Sequence, residues 1–355
     1  MIGFDWPRVI GFDFSGVVVE VARDCDDEFK IGDRVFGMIA GLPEKDRGCA
    51  AEYLIVDAEV CVKKPDSISH AEAASVPLVG ITAVMMLEAC GLKLGSKSNA
   101  RVLVLGGAGG VGSVAIQIAK KMFGASFVAT TASKGKKETL VKSLGADLVI
   151  DYRSEKFETK LASQDDSKLF DAILACTNEA SRCPTLLRKG GALCSIIGSD
   201  DVRTFLLSSV SLSQNKVKKK KTITPAGAVQ EWIHNPLVYK HHGSRTTLGI
   251  QTFLGSYVGG NLFNCFSGAR SIKNVCVSRG ANYRTIIGTG DRRIMTALAQ
   301  AMNEGKVRAV IDSRFSMDRA ADALAYQRKG RAAGKVIIDI VSSEKKEEET
   351  ESSKQ

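Results

Sequence analysis

Residues Gly106 to Gly112 read Gly-Gly-Ala-Gly-Gly-Val-Gly, and their spacing is the most chemically specific in the chain. Gly107, Gly109 and Gly112 fit the pattern G-x-G-x-x-G. The pattern gains meaning from its setting, after an apolar strand-like run and at the start of a helix-like one. The first glycine permits a tight turn, the second lets backbone approach a pyrophosphate, and the third lets the helix pack closely on the strand. Gly110 and Val111 then fall in the first helical turn, where free N–H groups and the positive end of the dipole favour phosphate. The loop reads as a dinucleotide-binding site, against the bland alternative of a structural glycine turn.

The following strand bears on which dinucleotide binds. An acidic residue at its end would bond a ribose 2′-hydroxyl. Here Val128 to Ser133 ends without an acid, and Lys134, Lys136 and Lys137 follow. A hydroxyl and ammonium groups suit a 2′-phosphate, so the pattern favours NADPH. The plain alternative for each lysine is a solvated helix face.

These residues must be positioned by a scaffold. From Arg101 onward, strand-like runs (101–105, 126–130, 147–150, 170–175, 192–197) alternate with helical spacing, as at Val111, Val114, Ala115, Ile118, Ala119 and Met122. That alternation predicts an α/β doubly wound parallel sheet of the Rossmann type. Before it, short strands at 16–21, within 31–37 and at 51–56 predict a small β-rich domain, and 70–87 reads as one helix. After it come a helix at 291–304, a strand at 307–311, a short helix at 319–326 and a final strand at 335–341. Residues 200–250 break the rhythm and read as an insertion or long surface loop, and 342–355 as a charged, disordered tail.

Composition sets outer bounds. The 355 residues are 44% hydrophobic and 25% charged, which excludes wholesale disorder. Lys+Arg 49 against Asp+Glu 39 gives a net charge of +10. Part of that excess is one run, Lys216 to Lys221, without interleaved aromatic residues, so a solvated loop is favoured over nucleic-acid binding. Nine cysteines with no CxxC pair predict reduced thiols in an intracellular compartment. The longest apolar stretch, 76–87, is too short to span a bilayer.

Together these motifs resemble the medium-chain dehydrogenase/reductase superfamily. Ile10 to Gly16, Gly32 to Gly37 and Ala50 to Tyr53 are similar to its N-terminal GroES-like domain, and Ala73 to Ala83 to its inter-domain helix. Gly106 to Gly112, Leu144 to Asp147 and Ile150 to Tyr152 resemble its cofactor domain; Gly305 to Asp312 and Gly334 to Asp339 resemble its closing segment. Within it the chain resembles the zinc-free quinone oxidoreductase (zeta-crystallin-like) group. Gly280 to Arg284 is similar to the mitochondrial reticulon-interacting oxidoreductases.

The resemblance implies a partial GroES-like catalytic domain at 1–85, a Rossmann cofactor domain at 86–288 carrying the insertion, and a return to the catalytic domain at 289–341. It implies hydride transfer from NADPH to a small hydrophobic electrophile, a quinone or α,β-unsaturated carbonyl. Enoyl-thioester reduction, or a catalytically weak NADPH-binding interaction protein, are the alternatives. Carried over by position, Ser133, Lys137 and Tyr152 would contact the 2′-phosphate, and Cys176, Gly198 and Lys335 would lie along the cofactor. Thr82 could bond in the cleft or simply bond its own backbone. A cytoplasmic or mitochondrial location fits, and a homodimer is left open.

No metal is expected. Zinc alcohol dehydrogenases of the superfamily have His where this chain has Phe12, followed here by Asp13, and Cys49 is the one cysteine between Gly37 and Glu52. His241 and His242 have no accompanying ligand cluster. Family members carry further strands before the position of Trp6 and Pro7, including polar substrate-pocket residues, so the resemblance implies that this chain begins partway into the domain. No catalytic acid is assigned. Glu52 and Tyr53 are read as barrel packing, and Cys176 is weighed against an inert buried thiol.

Overall fold

A computed structural model describes residues 9–22, 28–39, 48–196, 272–286 and 290–340. Gly198, the 200–250 insertion with its lysine run and histidine pair, and the 342–355 tail lie outside the described residues.

The N-terminal sheet is antiparallel, β1 (Asp13–Val17), β2 (Arg34–Met38) and β3 (Cys61–Lys63) in that spatial order. Two helices follow, α1 (His70–Ala74) and α2 (Pro77–Ala89). The single helix expected over 70–87 is therefore divided. Ser69 and Glu72 close a capping box on α1, and Pro77, which has no N–H, occupies the first turn of α2. The strand expected at 51–56 is also absent. Among the described residues that segment has no strand partner, and Tyr53 and Glu52 are exposed instead of packing a barrel.

The chain then winds through β4 (Arg101–Leu105), α3 (Gly110–Lys121), β5 (Phe127–Thr131), α4 (Lys136–Ser143), β6 (Leu148–Ile150), α5 (Phe157–Lys160), β7 (Phe170–Ala175), β8 (Leu187–Ser195), α6 (272–278) and β9 (Asn282–Thr285). The six strands pair in parallel in the order β6-β5-β4-β7-β8-β9. The chain leaves β4 toward one edge and returns to its other side at β7, the doubly wound topology with its switch point between β4 and β7. Val102 and Val104 of β4 enter one apolar cluster, and Leu103 and Leu105 enter the other. Burial on both faces explains why this strand reads as a continuous apolar run.

The last segment holds α7 (Arg292–Asn303), β10 (Ile311–Ser316), α8 (Ala320–Arg328) and β11 (Lys335–Asp339), with β10 and β11 parallel. The strand expected at 307–311 begins where it was expected to end. Val307 and Val310 are instead buried residues leading into it.

Helix α2 is apolar on nearly every side and lies against α3, α7 and β8, the burial such a helix requires. Gly80 sets its approach to α7, because a Cβ there would stand 2.7 Å from Leu298 Cδ1. Arg293 forks onto both oxygens of Glu88 at 2.9 Å, joining α7 to the end of α2.

Candidate functional site

The site gathers at the C-terminal ends of β4 to β7. Gly106 carries the turn, with φ +74, and lacks room as well, since a Cβ would lie 2.7 Å from Thr177 Cγ2. The turn thus falls one residue before the first glycine of the pattern. Gly107 lies against β5, where a Cβ would meet Thr130 Oγ1 at 2.0 Å. A Cβ on Gly112 would stand 2.3 Å from the Gly106 carbonyl oxygen, the close helix–strand approach expected of the third glycine. Gly109 differs, because a Cβ there would have only Gly106 O, at 3.3 Å, within 4 Å. Gly110 and Val111 begin α3, and Ser113 is the first residue whose N–H returns to Gly109 O. The preceding N–H groups of the first turn have no intrahelical acceptor, the chemistry that favours an anion at a helix start.

The loop is fixed to its neighbours. Gly106 N–H donates to Thr131 Oγ1 at 2.9 Å, and Gly107 N–H to the Thr131 carbonyl at 3.0 Å. Thr130 Oγ1 donates to Val104 O at 2.7 Å. Thr131 at the end of β5 therefore holds the loop, and Thr130 ties β5 to β4 just before it.

Strand register brings the expected 2′-phosphate residues toward one corner. Thr131 pairs with Ile150, and Ala132 N–H donates to Ile150 O at 3.0 Å. Ser133 and Tyr152 each follow that pair by two residues; Ser133 is buried and Tyr152 is 47% exposed. The Leu144 to Asp147 motif has a structural task beside them. Gly145 takes φ +108 after α4, and Asp147 accepts Val128 N–H at 2.6 Å while pairing with Lys120. Lys137, in the first turn of α4, donates to Arg331 O at 2.8 Å, so its ammonium also touches the loop before β11.

Asp312 holds the same loop. Its carboxylate accepts Ala333 N–H, Tyr326 Oη–H and the Ser313 hydroxyl, each at 2.7 Å. Burial opposes ionisation, but these donors outweigh it and hold the carboxyl below the usual range.

Cys176 directly follows β7, beside the glycine loop. Burial first, and Cys194 second, push its thiol up to about 12, so it stays neutral and weakly nucleophilic near pH 7. Thr82 is buried within α2 at 6% exposure. The seven cysteines among the described residues are free thiols, and no group of three or more His, Cys, Asp or Glu gathers there as a metal site.

Lys335 lies where the glycine loop meets the N-terminal sheet. Its Nζ is 3.0 Å from Asp13 Oδ2, and a Cβ on Gly110 would stand 3.5 Å from its Cδ. Asp13 follows Phe12 and opens β1, and nothing in its local sequence points toward the site. It comes from β1, 322 positions away, and no local pattern could have joined the two.

A doubly wound parallel sheet with a glycine cradle at its switch point, joined to a GroES-like β module, defines a dinucleotide-binding protein of the dehydrogenase type. The chain belongs to the medium-chain dehydrogenase/reductase superfamily: residues 2–66 match the alcohol dehydrogenase GroES-like domain, and 110–228 and 237–338 match zinc-binding dehydrogenase families.

The chain is 32% identical over 337 residues to a 2-methylene-furan-3-one reductase of Solanum lycopersicum, covering 94% of this chain and 63% of that protein. It is 40% identical over 196 residues to a chloroplastic NADPH-dependent alkenal/one oxidoreductase of Arabidopsis thaliana, covering 54% and 48%. The human mitochondrial NAD(P)H oxidoreductase RTN4IP1 is 29% identical over 343 residues, covering 96% and 72%. A quinone oxidoreductase structure from Coxiella burnetii shares the fold, with a TM-score of 0.66 at 24% identity, covering 95% of this chain and 81% of that one. The chain thus spans about half to two thirds of the length of the first two relatives.

Proposed function

We propose that the protein is an NADPH-dependent, zinc-free reductase of quinones or α,β-unsaturated carbonyls. The observation that carries the reading is the glycine cradle followed by a β5 end that offers Ser133 and Lys137 and no acidic residue. The names of two relatives, an alkenal/one oxidoreductase and a furanone reductase, agree with it.

A bound nicotinamide would supply the hydride. The chain's own residues bind and orient. The first turn of α3 would take the pyrophosphate, Ser133, Lys137 and Tyr152 would take the 2′-phosphate, and Thr82, Cys176, Gly198 and Lys335 would lie along the cofactor. Neutral Cys176 is poorly disposed to attack an electrophilic substrate. A conjugated acceptor needs positioning and stabilisation of its developing enolate oxygen more than a Lewis acid. On this proposal a catalytic module at 1–85 and 289–341 would flank a cofactor domain at 86–288. Among the described residues no helix is long and apolar enough to cross a membrane.

The test is oxidation of NADPH and NADH with panels of quinones, enones and enoyl-thioesters, each with and without a zinc chelator. Turnover of quinones or enones with NADPH, indifferent to chelator, supports the reading. Turnover confined to enoyl-thioesters moves the substrate assignment, tight NADPH binding without turnover indicates an interaction protein, and loss of activity with chelator overturns the zinc-free assignment.

A further inference from the structure

We propose that Asp13 is a positioning residue that acts through Lys335, fixing that side chain where its stem passes the first turn of α3; the inference rests on the reading of the glycine loop as a cofactor cradle. One Asp13 oxygen accepts Leu78 N–H at 2.8 Å, and the other accepts from Lys335 Nζ at 3.0 Å. The side chains are 9% and 22% exposed.

Two constraints converge on Lys335. Gly334 N–H donates to Ala108 O at 3.0 Å, which ties the residue before it to the glycine loop. Asp13 ties its head to β1. Its stem crosses Gly110, where the free N–H groups of α3 begin. The cap on α2 does not by itself explain the pair. Capping needs an acceptor for Leu78 N–H, and a neutral amide oxygen would serve. A largely buried ion pair carries a desolvation cost, and apolar residues of similar volume often stabilise as well. A retained lysine whose stem lies against the first turn of a helix has a use if an anion arrives at that turn. Asp13 then restrains a long, flexible side chain so that less freedom is lost when that anion binds.

The experiment measures the NADPH dissociation constant by nicotinamide fluorescence, and the melting temperature, for the wild type, Asp13→Asn, Asp13→Glu, Lys335→Met and the Asp13→Asn/Lys335→Met pair. Asp13→Asn keeps an acceptor for Leu78 N–H and removes the charge. The dissociation constant is expected to rise about tenfold, as for loss of a charge-assisted bond. Asp13→Glu should recover part of that loss, and the double variant should bind no worse than Lys335→Met alone. Additive losses, or an Asp13→Asn protein that melts well below wild type with binding unchanged, would make Asp13 a structural cap and overturn the proposal. A wild type that binds no NADPH overturns the cofactor reading itself, and this inference with it, a result distinct from additivity in a protein that binds.

Discussion

Gly112 stands so near Gly106 that a Cβ on the one would lie 2.3 Å from the carbonyl oxygen of the other. Both contacting groups are backbone, so the obstruction cannot be relieved by a side-chain rotation. Gly112→Ala should push α3 away from its loop, cost about 1–3 kcal/mol of stability and weaken NADPH binding about tenfold or more. Gly109→Ala is the contrasting variant. Its φ of −79 is ordinary and a Cβ would meet only Gly106 O, at 3.3 Å, which asks a far smaller shift than at Gly112, so melting should fall much less than for Gly112→Ala while NADPH binding falls. Calorimetry and fluorescence titration separate the two. Similar melting losses for both would show that Gly109 serves packing alone.

Lys137→Glu places a carboxylate where the 2′-phosphate is assigned. NADPH binding should weaken roughly tenfold to a hundredfold, the range for losing a charged hydrogen bond, and NADH binding much less. Titration with both cofactors decides the matter, because equal losses would sink the assignment. The variant also forfeits the bond to Arg331 O, which both cofactors would feel alike.

Asp312 sets a pH dependence of known sign. Its folded-state carboxyl is held below the ordinary value by Ala333, Tyr326 and Ser313, against the opposing effect of burial. A depressed carboxyl contributes stability that is present above the unfolded value, about 4, and is lost as pH falls through the folded value. Asp312→Asn should therefore melt below wild type by a constant margin from neutral pH to about pH 5, and the margin should shrink below about pH 4. Melting curves across that range test it. A margin that widened on acidification would contradict the sign.

The sheet and the glycine loop were legible in the sequence because their signals are local. The apolar run of β4, the glycine spacing and the helical period of α3 lie within about twenty residues of one another. Gly145 and Asp147 were likewise readable as a helix end followed by a strand start. Other features depended on contacts from afar. Pro77 announced a helix start, yet the apolar spacing on both sides made α1 and α2 read as one. Residues 51–56 have strand composition, but a strand exists only where a partner offers its ladder. The Asp13–Lys335 pair has no sequence signature, since neither residue's neighbours specify the other.

The closeness of Gly80 to Leu298 has a consequence for how the molecule is made. Helix α2 leaves the ribosome with nearly its whole circumference apolar, while the α7 surface that covers one side of it is still about 200 residues from translation. At roughly 5–20 residues per second that interval is roughly ten to forty seconds. For that time the nascent chain presents a sticky, half-covered rod, and its final seating waits on the stretch that encodes α7. Synthesis that stalls or terminates before α7 should yield a species prone to aggregation and dependent on chaperones.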